Sequence, residues 1–394
     1  MRNSNSNLVD LGGYKQEKLK ENGKELRVFL KVKSKLSHCP HCNKKTKTVY
    51  EFKFRDIRHS FWFDRPCILV VKQRRFKCEH CKIRFWERLP SIAKYSRRTE
   101  TFRMQIAKRA LEGHDNKLVA KDFRIGQSTV LRDIKHHSKL ELKKKQDQYF
   151  PTVLGIDEHH FSKKKGFATT FCDLKRRKIF DVRLGRYESS LGSFLANVRG
   201  KERTKIVVMD LSSSYRDLIQ KYIPWAKIVT DRFHVVRLAL QKFVEVWKSL
   251  DPSGRVNRGL VSLFRRHKNK LSEAQEFKFR KYLNSKPGLE QLYDFKNDIH
   301  DFLSQKNLTR KKMKYQISRF MQIIQDLKAS KFHSMITLAN TFESWQEEIL
   351  RMLRFSRSNG ITEGFHNKME KISRIAYGFR NFQNYRERVL LQCA

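Results

Sequence analysis

Three short apolar runs in this chain end in a carboxylate, and they constrain the fold more than any other feature. The runs are Thr152–Ile156 closing on Asp157 and Glu158, Lys205–Met209 closing on Asp210, and Ala226–Thr230 closing on Asp231. Short β-branched runs bounded by breakers predict strands buried in the middle of a sheet. An acid at the tip of such a strand sits at the sheet rim, where metals and substrates bind. Two more runs, Phe167–Asp173 and Lys178–Leu184, follow the first across the turns Lys163–Gly166 and Arg176-Arg177. The first three strands therefore read as antiparallel. A helix near 190–198 and a second, capped by Ser212-Ser213-Ser214, separate the later strands.

Three antiparallel strands followed by helix, strand, helix, strand is the ribonuclease H-like order. It brings the first and fourth strands side by side, so Asp157 and Asp210 are expected to emerge as neighbours. Two carboxylates held that close repel, and a divalent cation between them removes the penalty. Hard oxygen ligands favour Mg²⁺ or Mn²⁺. Glu158 falls on the opposite face of its strand by the period-two rule and is left out of the site.

The N-terminal third reads differently. Cys39-Pro40-His41-Cys42 and Cys78-Glu79-His80-Cys81 supply four soft thiolates, suited to a closed tetrahedral Zn²⁺ site. His38, His41 and His80 read as solvated neighbours of those cysteines. Between the pairs, Thr48–Phe54 alternates as a half-buried strand does, and Cys67–Val71 reads as a strand covered on both faces. Glu25–Val32 is a further strand-like run. Arg74 and Arg75 suit phosphate contact. Next, Phe102–Leu111 makes a helix broken at Gly113, and Leu118–Ile134 has the pattern of a helix-turn-helix. Ala120 is placed at the helix crossing, with Ile125, Val130 and Ile134 inward. That leaves Gln127, Ser128, Thr129 and Arg132 to face a groove. The stretch 235–355 is helical and basic, with Phe264, Phe320 and Trp345 as core. Beyond it, Asn359 or Thr362 is expected to cap a helix carrying Glu363, Asn367 and Glu370 on one face. Read alone, Glu363 is a first-turn acid favoured by the helix dipole as readily as a ligand.

Charge names the partner. Lys plus Arg number 86 against 40 for Asp plus Glu, a formal charge of +46, and a field of that size attracts nucleic acid. No apolar run approaches membrane-spanning length, and Met1–Asn7 is polar, unlike a signal peptide, so a soluble intracellular protein is expected. Of the seven cysteines, four lie in CxxC pairs, which is metal usage and not a disulfide framework.

The CPxC and RRFxCxxC knuckles, the helix-turn-helix, GIDE, VxMD, DRFHV, SNGxTEGxxNK and YGFRNFxNYRxRxLL together resemble the bacterial insertion-sequence transposases of the ISL-three family. The resemblance spans nearly the whole chain. It implies a DDE transposase that binds terminal inverted repeats and performs metal-dependent strand cleavage and strand transfer. Asp157 is then the first acid, bridging two metals, with Asp210 second and Glu363 third. Asp231 and His234 resemble a D-x-x-H motif; they support the site, or Asp231 replaces Asp210. Asn367 falls beside them, and His366 is expected to stay clear of the triad. The implied architecture is a zinc-binding β-ribbon module at 1–95 and a helix-turn-helix at 96–146. A catalytic core at 147–250 follows, then a helical insertion at 251–355 and the rest of the core at 356–394. A homodimer on double-stranded DNA in the bacterial cytoplasm, at the nucleoid, is also implied. Two rivals remain: a non-catalytic DNA-binding regulator, and a structure-selective nuclease of the same fold.

Overall fold

The computed structural model describes residues 12–62, 65–145, 149–355 and 360–393, without the side chains of Lys144, Lys145, Arg255, Ile361 and Glu363. Two compact units make up the chain: residues 1–143 with 375–377, and residues 144–374 with 378–394.

The first unit opens with β1 (Tyr14–Glu21), β2 (Leu26–Val32), β3 (Ser37–His38) and β4 (Lys45–Thr46). The long strands β5 (Val49–Trp62) and β6 (Arg65–Lys77) follow, then the short β7 (Arg84–Trp86). The sheet runs β1-β2-β6-β5, with β7 on the far end of β6 and β3-β4 as a separate small ribbon. Leu26, Val28 and Leu30 alternate inward from β2 onto Leu69 and Val71 of the central strand β6. The expectation of a half-buried strand at 48–54 fails: Tyr50, Phe52 and Phe54 are exposed. The cause is the extent of the core: from β5 the buried cluster under this sheet takes in Ile57 and none of residues 49–54. The outer arm of the β5–β6 hairpin thus extends beyond the layer that would cover it.

Three helices complete this unit: α1 (Glu100–Leu111), α2 (Asn116–Asp122) and α3 (Gln127–Lys145). Thr99 and Asp115 cap the first two through backbone N–H groups. Phe102, Ile106, Ala110, Val119, Ala120 and Val130 form their core, with Ile125 and Ile134 packed at its edge. Asp133, fully buried in α3, is held by Arg98 and by Arg103 at 3.0 Å.

In the second unit, β8 (Val153–Ser162), β9 (Gly166–Asp173) and β10 (Lys178–Leu184) form an antiparallel meander. They are followed by α4 (Glu188–Asn197), β11 (Ile206–Met209), α5 (Ser213–Tyr222) and β12 (Lys227–Thr230). The strand order is β10-β9-β8-β11-β12, with β11 parallel to both β8 and β12. Leu154, Ile156, Phe171, Val207, Val208 and Val229 fill the sheet's core. A helical region follows: α6 (Arg232–Leu250), α7 (Arg258–Arg265), α8 (Glu273–Asn284), α9 (Leu289–Ser304), α10 (Arg310–Ala329), α11 (His333–Ser344) and α12 (Gln346–Arg354). Phe264, Phe320 and Trp345 are buried in it. The chain then returns to the sheet through α13 (Gly360–Ile375) and α14 (Phe382–Cys393). Thr362 lies inside α13 and does not cap it; Asn359, the other candidate cap, lies outside the described residues.

Candidate metal centres

Two tight turns carry the four N-terminal cysteines. In the β3–β4 turn, Cys39 N–H donates to Lys44 O and Asn43 N–H to Cys39 O, each at 2.9 Å. The β6–β7 turn repeats the arrangement, with Cys78 N–H on Ile83 O at 2.9 Å and Lys82 N–H on Cys78 O at 3.1 Å. Asn43 and Lys82 both take positive φ, 56° and 59°, as the fold-back requires. The turns face each other with Sγ–Sγ separations of 3.5 Å for Cys39–Cys81 and for Cys42–Cys78. A tetrahedral ion with bonds of about 2.3 Å to sulfur needs edges of roughly 3.8 Å, so the four thiols fit a structural Zn²⁺. Backbone N–H groups of Cys81 and His80 pull the Cys78 thiol down to about 6, toward the thiolate a metal binds. Stacked Phe76 and Phe85 close the apolar side.

The acidic centre lies in the other unit. Asp157 is not at a strand tip: β8 continues to Ser162 because β9 keeps pairing, with Asp157 opposite Thr170. On its other edge β8 loses β11 after Gly155, and Asp157 stands just past that end. Asp210 follows β11 directly. Ligand atoms of Asp157, Asp210 and His234 all lie within 4.8 Å of one another. Asp231 caps α6, its Oδ1 accepting from Phe233 N–H at 3.4 Å, and its other oxygen is 3.8 Å from His234 Nε2.

The electrostatics are those of a site short of positive charge. Burial, then the carboxylates of Asp157 and Asp231, push the Asp210 carboxyl up to about 8. Among the described residues its Oδ1 is buried without a hydrogen-bond donor; His234 Nε2 lies 3.1 Å away but off the line of a hydrogen bond. A divalent cation answers both features, so these residues fit one.

His366 corrects an expectation. Its Nδ1 lies 3.6 Å from Asp157 Oδ2 and its Nε2 3.4 Å from Thr170 Oγ1, so it joins the cluster. His159, unremarked in the sequence, donates or accepts at Thr170 Oγ1 (3.1 Å) and Tyr385 OH (2.9 Å). Burial lowers both imidazoles, His366 to about 4 and His159 to about 3. The missed signals were the period of two from Asp157 to His159 and the single helical turn from Glu363 to His366. The Glu363 side chain is outside the described residues, and Asn367 is exposed.

Among the residues expected to meet DNA, Gln127, Ser128 and Arg132 are exposed on α3 and Thr129 half-buried, with Arg132 donating to Thr129 Oγ1 at 3.1 Å. Arg74 is committed internally, to Glu87 at 2.6 Å and to Ser34 O at 2.6 Å, which makes it a clamp between β6 and β7. Arg75 meets Glu51 across the hairpin at 2.6 Å. No helix of the described residues is long and apolar enough to cross a membrane.

The sequence matches the ISL-three (ISL3) family model, described as a transposase, over residues 154–389. A second family model, described as the zinc-finger of the transposases of IS204, IS1001, IS1096 and IS1165, matches residues 35–81. The transposase for insertion sequence element IS1001 of Bordetella parapertussis is 24% identical over 371 residues, covering 91% of this chain and 89% of that protein.

Proposed function

The chain belongs to the ISL-three family of transposases, and on that premise we propose that it binds the inverted-repeat ends of an insertion sequence and cuts and joins DNA at the acidic centre. The observation that carries this is the convergence of Asp157, Asp210 and His234 within 4.8 Å beside the ends of adjacent parallel strands. The strand order β10-β9-β8-β11-β12 supports a ribonuclease H-like core, and the run of helices α6–α12 between β12 and α13 supports a helical insertion within it. The core of α1–α3 supports a helix-turn-helix, with Gln127, Ser128, Thr129 and Arg132 turned to base edges and Arg75 to phosphate.

Asp157, Asp210 and Glu363 are the catalytic carboxylates of this reading. Bound there, a pair of Mg²⁺ or Mn²⁺ ions supplies Lewis-acid activation of the attacking oxygen and stabilises the leaving 3′ oxygen. Asp157 and Asp210 would hold those ions. Asp231, as the cap of α6, fixes the first turn of the helix and so the imidazole of His234 beside Asp210. That geometry supports Asp210 over Asp231 as the second acid. Glu363 stands one turn before His366 in α13, which leans on Asp157. A homodimer bridging two ends is what the family resemblance implies, and it is part of this proposal.

The test is a nicking and strand-transfer assay on repeat-end DNA with Mn²⁺. Asp157→Asn and Asp210→Asn are expected to abolish both steps, and Asp231→Ala to leave measurable activity. Wild-type protein that binds but never cuts is a regulator; protein that cuts without joining is a nuclease.

A further inference from the structure

Beside the acidic centre, along α6, lies a cavity of about 830 Å³ that none of the roles above uses. Its walls carry Arg237, Lys248, Arg265 and Lys306, against one carboxylate, Glu245. Glu245 is neutralised by Lys242 Nζ at 2.8 Å and also accepts from Ser334 at 2.9 Å. Among the described residues none of those four cations pairs with a carboxylate, and all four side chains are exposed. Val236, Leu240 and Val244 line the cavity between the charges. At the end nearest the acids stands Phe233, 49% exposed, its ring edge-on to His234 at 5.4 Å between centroids. From Phe233 to Lys248 the stripe follows α6 for roughly 22 Å.

We propose that this groove binds a single unpaired DNA strand leaving the acidic centre, with one base stacked on Phe233 and the backbone phosphates on Arg237, Lys248, Arg265 and Lys306. The inference rests on the transposase reading for the origin of the strand. An aromatic face followed by spaced cations over an apolar floor is how single strands are held without sequence preference. Pockets of about 300–1,000 Å³ enclose ligands of drug size, so the cavity admits a nucleotide or two at its deepest and no duplex. Arg237 belongs to both places: it is the cation whose field partly offsets the carboxylates around Asp210. A strand with its scissile phosphate at the acids therefore meets Phe233 and Arg237 next. Phe233 differs from other exposed apolar side chains in standing between His234 and the cations of the groove. An acidic peptide would use the cations but have no use for that ring.

The experiment is fluorescence anisotropy of the full chain with a labelled oligothymidylate of about 12 nucleotides, without added Mg²⁺ or Mn²⁺ and without chelator, so that no catalysis is needed and the zinc unit stays intact. Phe233→Ala is expected to weaken binding about tenfold, and Phe233→Trp to restore it. Arg237→Gln with Arg265→Gln is expected to weaken it about tenfold and to flatten the salt dependence by about two phosphates. All variants should melt with the wild type, and their affinity for duplex repeat-end DNA should change less than twofold. Unchanged oligothymidylate binding in the groove variants overturns the proposal. So does equal loss of duplex binding, or competition by an acidic peptide such as oligoglutamate as strong as by unlabelled oligothymidylate. If wild type binds the oligonucleotide through the groove but never joins DNA, the transposase reading falls and the groove stands; if it joins DNA while groove variants bind normally, only the groove falls.

Discussion

Asp157 sits in mid-strand, 8% exposed, with one strand edge paired and the other just released. That position explains how a carboxylate can be rigid and still reach a ligand: β9 holds its backbone while the end of β11 leaves room for Asp210. His366 gains meaning in the same frame. Replacing it with alanine should lower strand transfer by about 10–100-fold, the usual cost of losing a partner of a metal ligand, and weaken Mn²⁺ binding measured directly. A thermal melt should barely move, because the ring is half-buried at the site's rim. Lys296 is the opposite kind of residue. Only 2% exposed, its Nζ donates to Phe264 O (3.0 Å) and Arg266 O (2.8 Å) and sits over Tyr293, and burial lowers it to about 7. An unfolded lysine titrates near about 10.4. Between about 7 and that value the unfolded chain binds more protons, so stability rises with pH there, by at most about 1.4 kcal/mol per unit. Lys296→Met should remove that slope. Melting temperatures of both proteins at pH 7 and pH 9 check it, and parallel shifts would refute it.

At the scale of elements, zinc and helix packing make separate predictions. A bound zinc would tie β3–β4 to the β6–β7 turn, which among the described residues is backed by Phe76 and Phe85. Chelation, or Cys42→Ser, should raise amide hydrogen exchange across 37–46 and 76–86 and leave 153–230 protected. In the helical trio, Ala120 is 7% exposed inside the shared core, and Ala120→Leu overpacks it, costing about 1–3 kcal/mol. A melt follows that cost, and loss of duplex binding should accompany it. These elements were unequally legible. The runs at 153–156, 206–209 and 227–230 announced themselves because strands covered on both faces must be apolar, even where, as in β12, the strand lies at the sheet's edge; the expected order did set β8 next to β11. The CxxC turns were legible because their chemistry is local. Nothing local marked the extension of β8 through His159, His160 and Phe161, since pairing with β9 is what makes it strand. β1 was invisible for a related reason: Tyr14–Glu21 is lysine-rich, a charged edge strand held by its register with β2. Tyr50, Phe52 and Phe54 misled, because alternation reports burial only where a second layer exists.

The whole molecule carries +46, and that charge should dominate its affinity for DNA. Binding to duplex is expected to fall with salt at a log–log slope of about −0.9 per phosphate neutralised. A titration from low to moderate salt with a nearly flat response would remove nucleic acid as the partner. The order in which the second unit is assembled has a further effect, on synthesis. Asp157, Asp210 and His234 come early, but α13, which brings His366 against Asp157, follows the entire run from α6 to α12. A ribosome adding about 5–20 residues per second leaves the nascent chain for several seconds with its zinc unit and its helical trio made and its acidic centre open on one side. On the proposed function, a chain truncated before α13 lacks the helix that sets His366 against Asp157, and it is expected to compete for repeat ends in a binding assay without cutting them.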